Sequence, residues 1–251
     1  MTSSQRPWVI FDYDDTLGGI LYEGKVQGNE VAYWVAIEKF ASLMQELGFD
    51  RETASTMQQT VDMELCEIHG FSWRPRFAES MVRTYKALAT RERKDVRPII
   101  LETAYRIGSQ VFDYRYLPLE GALFTLNVLR KDYRIAIVTK GEHEEQLRKV
   151  ETSGVGHFVD RVIVVGHKDE ADWKHVIAEL QLQDDLSTTW CVGNSIKGDV
   201  NGPLRAGMNA IHITRGSWAF EQQEYAAPTD GRRLEIVSDI KEVLNIIPWS
   251  K

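Results

Sequence analysis

Asp12, Asp14, Asp15 and Thr16 stand in one five-residue run, Asp12-Tyr13-Asp14-Asp15-Thr16, directly after the apolar Val9-Ile10-Phe11. Several carboxylates in one turn repel each other unless a cation, a proton or a positive side chain sits among them. An acid at a strand end with a second acid two residues on suits metal-assisted chemistry with a carboxylate nucleophile. Taken alone, the box has a plainer reading as a solvated acidic turn or a helix N-cap from Asp14 or Asp15. Three further clusters carry matching chemistry. Thr139, Lys140 and Gly141 follow the apolar Ile135–Val138 and precede a helix, placing a hydroxyl and free amides where a phosphate meets a helix N-terminus. Thr139 alone is otherwise a helix cap. Lys168 follows Val162–Val165 and can reach back to the acids, although a lone lysine is more often solvated. Gly193-Asn194-Ser195 leads to Asp199, an acid spaced to ligate a hard cation, or else a cap or a surface acid.

These residues need a scaffold that gathers strand ends. The run Val9–Phe11 is apolar without alternation, as expected of a strand covered on both faces of a parallel sheet. Glycine-punctuated Gly18–Val26 predicts a short hairpin. From about Asn29 to Phe112 only helical spacing occurs. Val31, Trp34, Val35, Ile37, Phe40, Leu43, Met44 and Leu47 form one apolar stripe that stops at Gly48, with Trp34 expected in the core. Further helices are expected over 52–68, 76–90 and 96–112. From Leu119 helices and strands alternate: helix 121–130, strand 134–138, helix 142–152, strand 161–165, helix 169–180, strand 190–192, helix 200–206, strand 209–213, strand 234–237 and helix 239–246. Such alternation predicts an α/β fold with a doubly wound parallel sheet, and an all-helical insertion capping its carboxyl ends. The expected domains are a core of residues 1–18 and 115–251, and a hairpin flap with helical cap over residues 19–114.

Composition narrows the function classes. A 251-residue chain with 43% hydrophobic and 27% charged residues can bury a sizeable core. A net charge of -7 argues against nucleic-acid binding. No apolar run approaches a membrane span, and Met1–Pro7 lacks the apolar stretch of a signal peptide. Cys66 and Cys191 are too few for a disulfide framework. The expectation is a cytoplasmic protein without a membrane partner. His143, His157, His167, His175 and His212 are expected to form no zinc site, and no dinucleotide-binding or P-loop glycine pattern occurs. Ser195 lies outside any nucleophile elbow. Trp34, Phe71, Trp73, Arg74, Arg76 and Tyr22, and the loop Thr214–Trp218, are candidates to contact a leaving group or edge the pocket.

The four clusters together resemble the haloacid dehalogenase-like hydrolase superfamily, whose members are mostly phosphatases. Asp12-Tyr13-Asp14-Asp15-Thr16 matches its first box, Thr139 its second motif, Lys168 its lysine, with Lys174 as the competing position, and Gly193-Asn194-Ser195 through Asp199 its fourth. The helical insertion matches the cap of the first class, so the likeness covers the whole chain.

The resemblance implies a Mg²⁺-dependent hydrolase that removes phosphate from a small phosphorylated metabolite through a phosphoaspartyl intermediate. Asp12 would be the nucleophile and Asp14 the acid and then the base. Asp12, Asp14 (through its carbonyl) and Asp199 would hold Mg²⁺, and Thr139, Lys140 and Lys168 would bind phosphate. Asp15, Thr16, Asn194 and Ser195 would support the turns around them. Most relatives have Asp where this chain has Asn194, which implies a tuned metal affinity. The dehalogenating branch lacks the second aspartate, which this chain keeps. A phosphotransferase or mutase using the same aspartate, and a non-catalytic member that binds a phosphorylated ligand or a protein, are the alternatives.

Overall fold

The computed structural model describes residues 6–70, 73–216, 221–228 and 231–250. The chain divides into two compact units, residues 1–30 with 115–251, and residues 31–114. The first holds a six-stranded parallel sheet in the order β6-β5-β1-β7-β8-β9. Its strands are β1 (Trp8–Phe11), β5 (Arg134–Lys140), β6 (Arg161–Val165), β7 (Trp190–Gly193), β8 (Asn209–Ile213) and β9 (Leu234–Val237).

Alternate residues of these strands enter two separate cores, which makes the sheet doubly wound. Val9, Phe11, Ile135, Ile137, Trp190 and Val192 pack with Leu126 and Leu129 of α5 (Ala122–Leu129) and Val150 of α6 (His143–Thr152). Ile10, Ala136, Val138, Ile163 and Cys191 pack on the other face with Trp173, Val176 and Leu180 of α7 (Glu170–Leu180). Each large apolar side chain so buried contributes roughly 1.5–3 kcal/mol. The short helices α8 (Gly202–Arg205) and α9 (Val243–Ile246) complete this unit. The α/β class and the parallel sheet are those expected from the alternating pattern.

A second, antiparallel sheet in the order β3-β2-β4 joins β2 (Gly18–Tyr22) and β3 (Lys25–Gln27) to β4 (Tyr116–Pro118). Strand β4 is absent from the sequence expectations, because three residues are too short to show a period. Its pairing with β2 corrects the expected boundary: the hairpin belongs to the sheet unit and not to the helical one.

The second unit consists of α1 (Glu30–Glu46), whose first residue lies in the sheet unit, α2 (Arg51–His69), α3 (Arg76–Arg91) and α4 (Pro98–Ser109). Asp50 caps α2 by accepting the Thr53 N–H at 2.7 Å. Phe40, Met44, Leu65, Met81 and Leu88 are fully buried. Trp34, expected in the core, is 63% exposed. The buried stripe of α1 runs through Ala32, Val35, Ala36, Phe40 and Met44, and position 34 falls off it. Among the described residues no helix is long and apolar enough to cross a membrane.

Candidate active site

Strand β1 ends at Phe11, and the Asp12 N–H continues its ladder by donating to the Val192 carbonyl at 2.9 Å. This fixes Asp12 at the carboxyl end of the sheet between β5 and β7, its carboxylate buried. Lys168 arrives from the loop after β6. Its ammonium donates to Asp12 Oδ1 at 2.5 Å and to Asp199 Oδ1 at 2.6 Å, with its side chain only 3% exposed. Lys174, the alternative lysine, is an exposed partner of Glu170 on α7.

Lys168 reaches that position from a left-handed backbone conformation, φ +56°, which is unfavourable for a residue with a β-carbon. The Asp172 carboxylate offsets this by accepting the N–H groups of His167 and Lys168 at 2.7 and 2.8 Å. Asp169 caps α7 beneath it by accepting the Asp172 N–H at 3.0 Å. Sequence reasoning omits Asp172, although an acid three residues after a capping Asp is a readable helix-start pattern.

Asp199 lies in a wide π-helical turn, Ile196–Asn201, where the sequence suggests an ordinary glycine turn before a helix. Ser195 caps this turn, its Oγ accepting the Gly198 N–H at 2.9 Å, while its own N–H donates to Asp199 Oδ2 at 3.0 Å. Trp173 Nε1 donates to the Gly198 carbonyl at 3.1 Å and ties the turn to α7. Turns of this kind recur at functional sites.

The remaining residues of the box are placed as follows. The Asp14 carboxylate accepts from Lys149 Nζ, Gln146 Nε2 and Asn29 Nδ2. Asp15, φ +63°, is buried and accepts the Asn29 backbone N–H just before α1. Burial and the neighbouring Glu30 push its carboxyl well above the usual range. Thr16 Oγ1 donates to Asn194 Oδ1 at 3.4 Å, joining the first cluster to the fourth, and Asn194 Nδ2 donates to the Gly216 carbonyl at 3.0 Å. Thr139 is buried and its hydroxyl donates to Gln146 Oε1 at 3.2 Å. Lys140, expected on phosphate, pairs through its ammonium with buried Glu221, which also accepts from Ser195 Oγ. Glu221, Gln146 and Lys149 are absent from the sequence expectations.

Electrostatics follow from burial. Burial pushes Asp12 up to about 7, with Lys168 pulling it down and Asp199 and Asp14 adding to the rise. For Lys168, burial works toward a lower value, but Asp12 and Asp199 outweigh it and hold the ammonium above its ordinary range. Two buried carboxylates against one ammonium leave unbalanced negative charge. Among the described residues no three His, Cys, Asp or Glu side chains gather as a metal cluster. The Asp12 and Asp199 carboxylates would offer a cation oxygen donors only, which fits Mg²⁺ and not a soft-ligated zinc.

The other candidates have surroundings of their own. His175 does stand four residues from an acid, Glu179, but at 3.3 Å on an exposed face of α7. Cys191 is buried in β7, and burial pushes its thiol well up. Arg76 is buried and paired with Asp62 between α2 and α3, and Arg74 lies over the Phe112 ring at 4.6 Å. Tyr22 is half-buried at the end of β2. Phe71, Ser217 and Trp218 lie outside the described residues.

No protein-family model matches the chain. The curated pyrimidine 5'-nucleotidase YjjG of Escherichia coli (strain K12) is 28% identical over 116 residues, 45% of this chain and 51% of that protein. The match thus spans about half the length of that relative. A haloacid dehalogenase-like family hydrolase from Xanthomonas campestris superposes with a TM-score of 0.74 at 21% identity, over 96% of this chain and 90% of its own. The HAD-hydrolase YfnB from Bacillus subtilis, solved with magnesium, gives 0.60 at 17% identity over 97% and 99%. Other solved structures with this likeness include a predicted phosphoglycolate phosphatase and an L-2-haloacid dehalogenase.

Proposed function

On a chain with the fold of the haloacid dehalogenase-like hydrolases, we propose a phosphoric monoester hydrolase that works through a phosphoaspartyl intermediate with Mg²⁺. The observation that carries this reading is the Lys168 ammonium shared between buried Asp12 and Asp199, with a second carboxylate, Asp14, two residues from the first. A carbon–halogen displacement needs only a carboxylate nucleophile. Phosphoryl transfer needs, in addition, charge to offset an anionic substrate and an acid for its leaving oxygen.

Asp12 attacks phosphorus in line, and the ester oxygen leaves with the bonding pair and a proton from Asp14. Asp14 then takes a proton from the water that hydrolyses the acyl phosphate, releasing phosphate and restoring Asp12. Lys168 offsets repulsion between the substrate and the nucleophile and, with the Thr139 hydroxyl, binds phosphoryl oxygens. Mg²⁺ would be held by the Asp12 and Asp199 carboxylates and the Asp14 carbonyl, and supplies positive charge to the transferring group when bound. The nucleotidase likeness and the small-phosphate chemistry of the motifs both favour a small phosphomonoester, nucleoside monophosphates included.

A phosphate-release screen over about a hundred phosphorylated metabolites, with and without Mg²⁺, tests the reading. Metal-dependent release from at least one monoester is expected, and Asp12→Asn should lower its turnover by about a thousandfold or more. A blank panel alongside release of halide from a 2-haloacid would overturn it.

A further inference from the structure

Helix α6 follows Thr139 by one short turn and presents Gln146 and Lys149, three residues apart and so on one face, to the acidic box. Lys149 Nζ donates to both oxygens of Asp14, at 2.9 Å to Oδ1 and 3.0 Å to Oδ2. Gln146 Nε2 adds a bond to Oδ2 at 3.1 Å, and Asn29 Nδ2 one to Oδ1 at 2.7 Å. The lysine is the more deeply placed partner, 7% exposed against 30% for Asp14. Burying an ammonium costs several kcal/mol unless its partner geometry is good, so this is no solvated surface lysine.

The helix is itself pinned. Tyr13 Oη donates to the Lys149 carbonyl at 2.9 Å, and Tyr116 Oη donates to Glu145 Oε1 at 2.9 Å. Gln146 also donates to the Lys140 carbonyl at 3.1 Å and accepts from Thr139 Oγ1 at 3.2 Å. One rigid element therefore grips Asp14 and touches the residues at the end of β5. Lys149 itself lies in none of the four motifs.

We propose that Lys149 is a positioning residue for the reaction, which with Gln146 sets the direction of the Asp14 carboxyl group toward the leaving oxygen. This rests on the phosphohydrolase reading above. In that step an Asp12 oxygen bonds to phosphorus and the ester P–O bond breaks with its electron pair on the leaving oxygen. The Asp14 proton moves to that oxygen. A nitrophenolate departs readily without the proton, whereas an alkoxide does not. A misdirected Asp14 should therefore penalise alkyl phosphates and spare aryl phosphates. A lysine that merely stabilised the fold would affect both alike.

The test compares kcat/KM, which reports the steps up to the phosphoenzyme, for 4-nitrophenyl phosphate and for the alkyl phosphate that the wild type turns over fastest. Lys149→Met should lower kcat/KM about 100-fold for the alkyl ester, the scale of an ångström's misplacement, and by less than about threefold for the aryl ester. Lys149→Arg, which keeps two donors, should restore most of the alkyl rate. Gln146→Met, which leaves the ion pair in place, should show the same asymmetry in weaker form and serves if Lys149→Met folds poorly. Equal losses on both substrates, or no loss on either, would overturn the role of Lys149 while wild-type activity leaves the phosphohydrolase reading standing. A wild type that releases phosphate from neither class would overturn both.

Discussion

The Asp199 carboxylate lies so close to the backbone of Gly193 that a β-carbon at 193 would collide with its carboxyl atoms. Only glycine at the end of β7 lets the acid fold back against the strand that carries it. Gly193→Ala should therefore push Asp199 outward with little change to the sheet. A displaced ligand or ligand support typically costs about 10- to 100-fold in metal affinity. Calorimetric titration with Mn²⁺ and the Mg²⁺ dependence of phosphate release should both show that loss, and wild-type values in the variant would reject the assignment of Asp199 to the cation.

The position of Asp12 at about 7, against 3.8 in the unfolded chain, sets a sign for the pH dependence of stability. Between those values the folded protein holds a proton that the unfolded chain has released. This contribution is complete below 3.8 and is lost as pH rises through about 7. Metal-free protein should therefore melt at progressively lower temperature across this window. Asp12→Asn should flatten the trend, as measured by thermal denaturation in a series of buffers. An identical slope in the variant would show that the buried carboxylate is not its source.

Lys140 and Lys168 should behave differently on mutation. Lys140 is paired with Glu221, which also receives the Ser195 hydroxyl, so its charge secures a loop to the Asp199 turn. Lys140→Met should cost about 1–3 kcal/mol of stability and change KM for substrate by less than about threefold. Lys168→Met removes the cation that bridges Asp12 and Asp199. It should cost about 3–5 kcal/mol and abolish turnover. A large KM effect in Lys140→Met with unchanged melting would return that lysine to the phosphate.

In the helical unit, Arg76 and Asp62 form an ion pair almost without solvent contact, side chains 6% and 10% exposed. Burial raises the Asp62 carboxyl, opposed by Arg76. Asp62→Leu alone should destabilise by about 3–5 kcal/mol because it strands a buried guanidinium. The double variant Asp62→Leu with Arg76→Met should recover most of that loss in urea denaturation. Additive losses in the double variant would mean that the two side chains are not energetically coupled, against the ion-pair reading.

Much of this architecture is legible in the residues. Continuous apolar runs at 9–11, 135–138 and 162–165 reveal buried parallel strands, and each is followed by the chemistry it delivers. Asp12, Lys168 and Asp199 could be placed together because strand ends converge in a doubly wound sheet. Lys149 and Gln146 escape such reading. On a helix sequence as polar as His143–Thr152 they look like solvated positions, and only the packing of α6 shows which face is buried. Glu221 lies in an irregular loop with no period to phase it. Trp34 is misjudged because an apolar residue one position off a stripe resembles part of it. The hairpin is assigned to the wrong unit because its third strand is only Tyr116–Pro118.

Strand β1 pairs with β5 and β7, so Trp8 lies beside Arg134 and Val9 beside Trp190. A ribosome making this chain therefore delivers β1 before either of its neighbours. The contiguous helices of 31–114 have every partner at hand before those neighbours and can condense first. Until β5 and then β7 emerge, an apolar central strand waits for its two ladders. The order of synthesis thus keeps the Asp12 carboxylate from meeting Lys168 and Asp199 until the loops after β6 and β7 have been made.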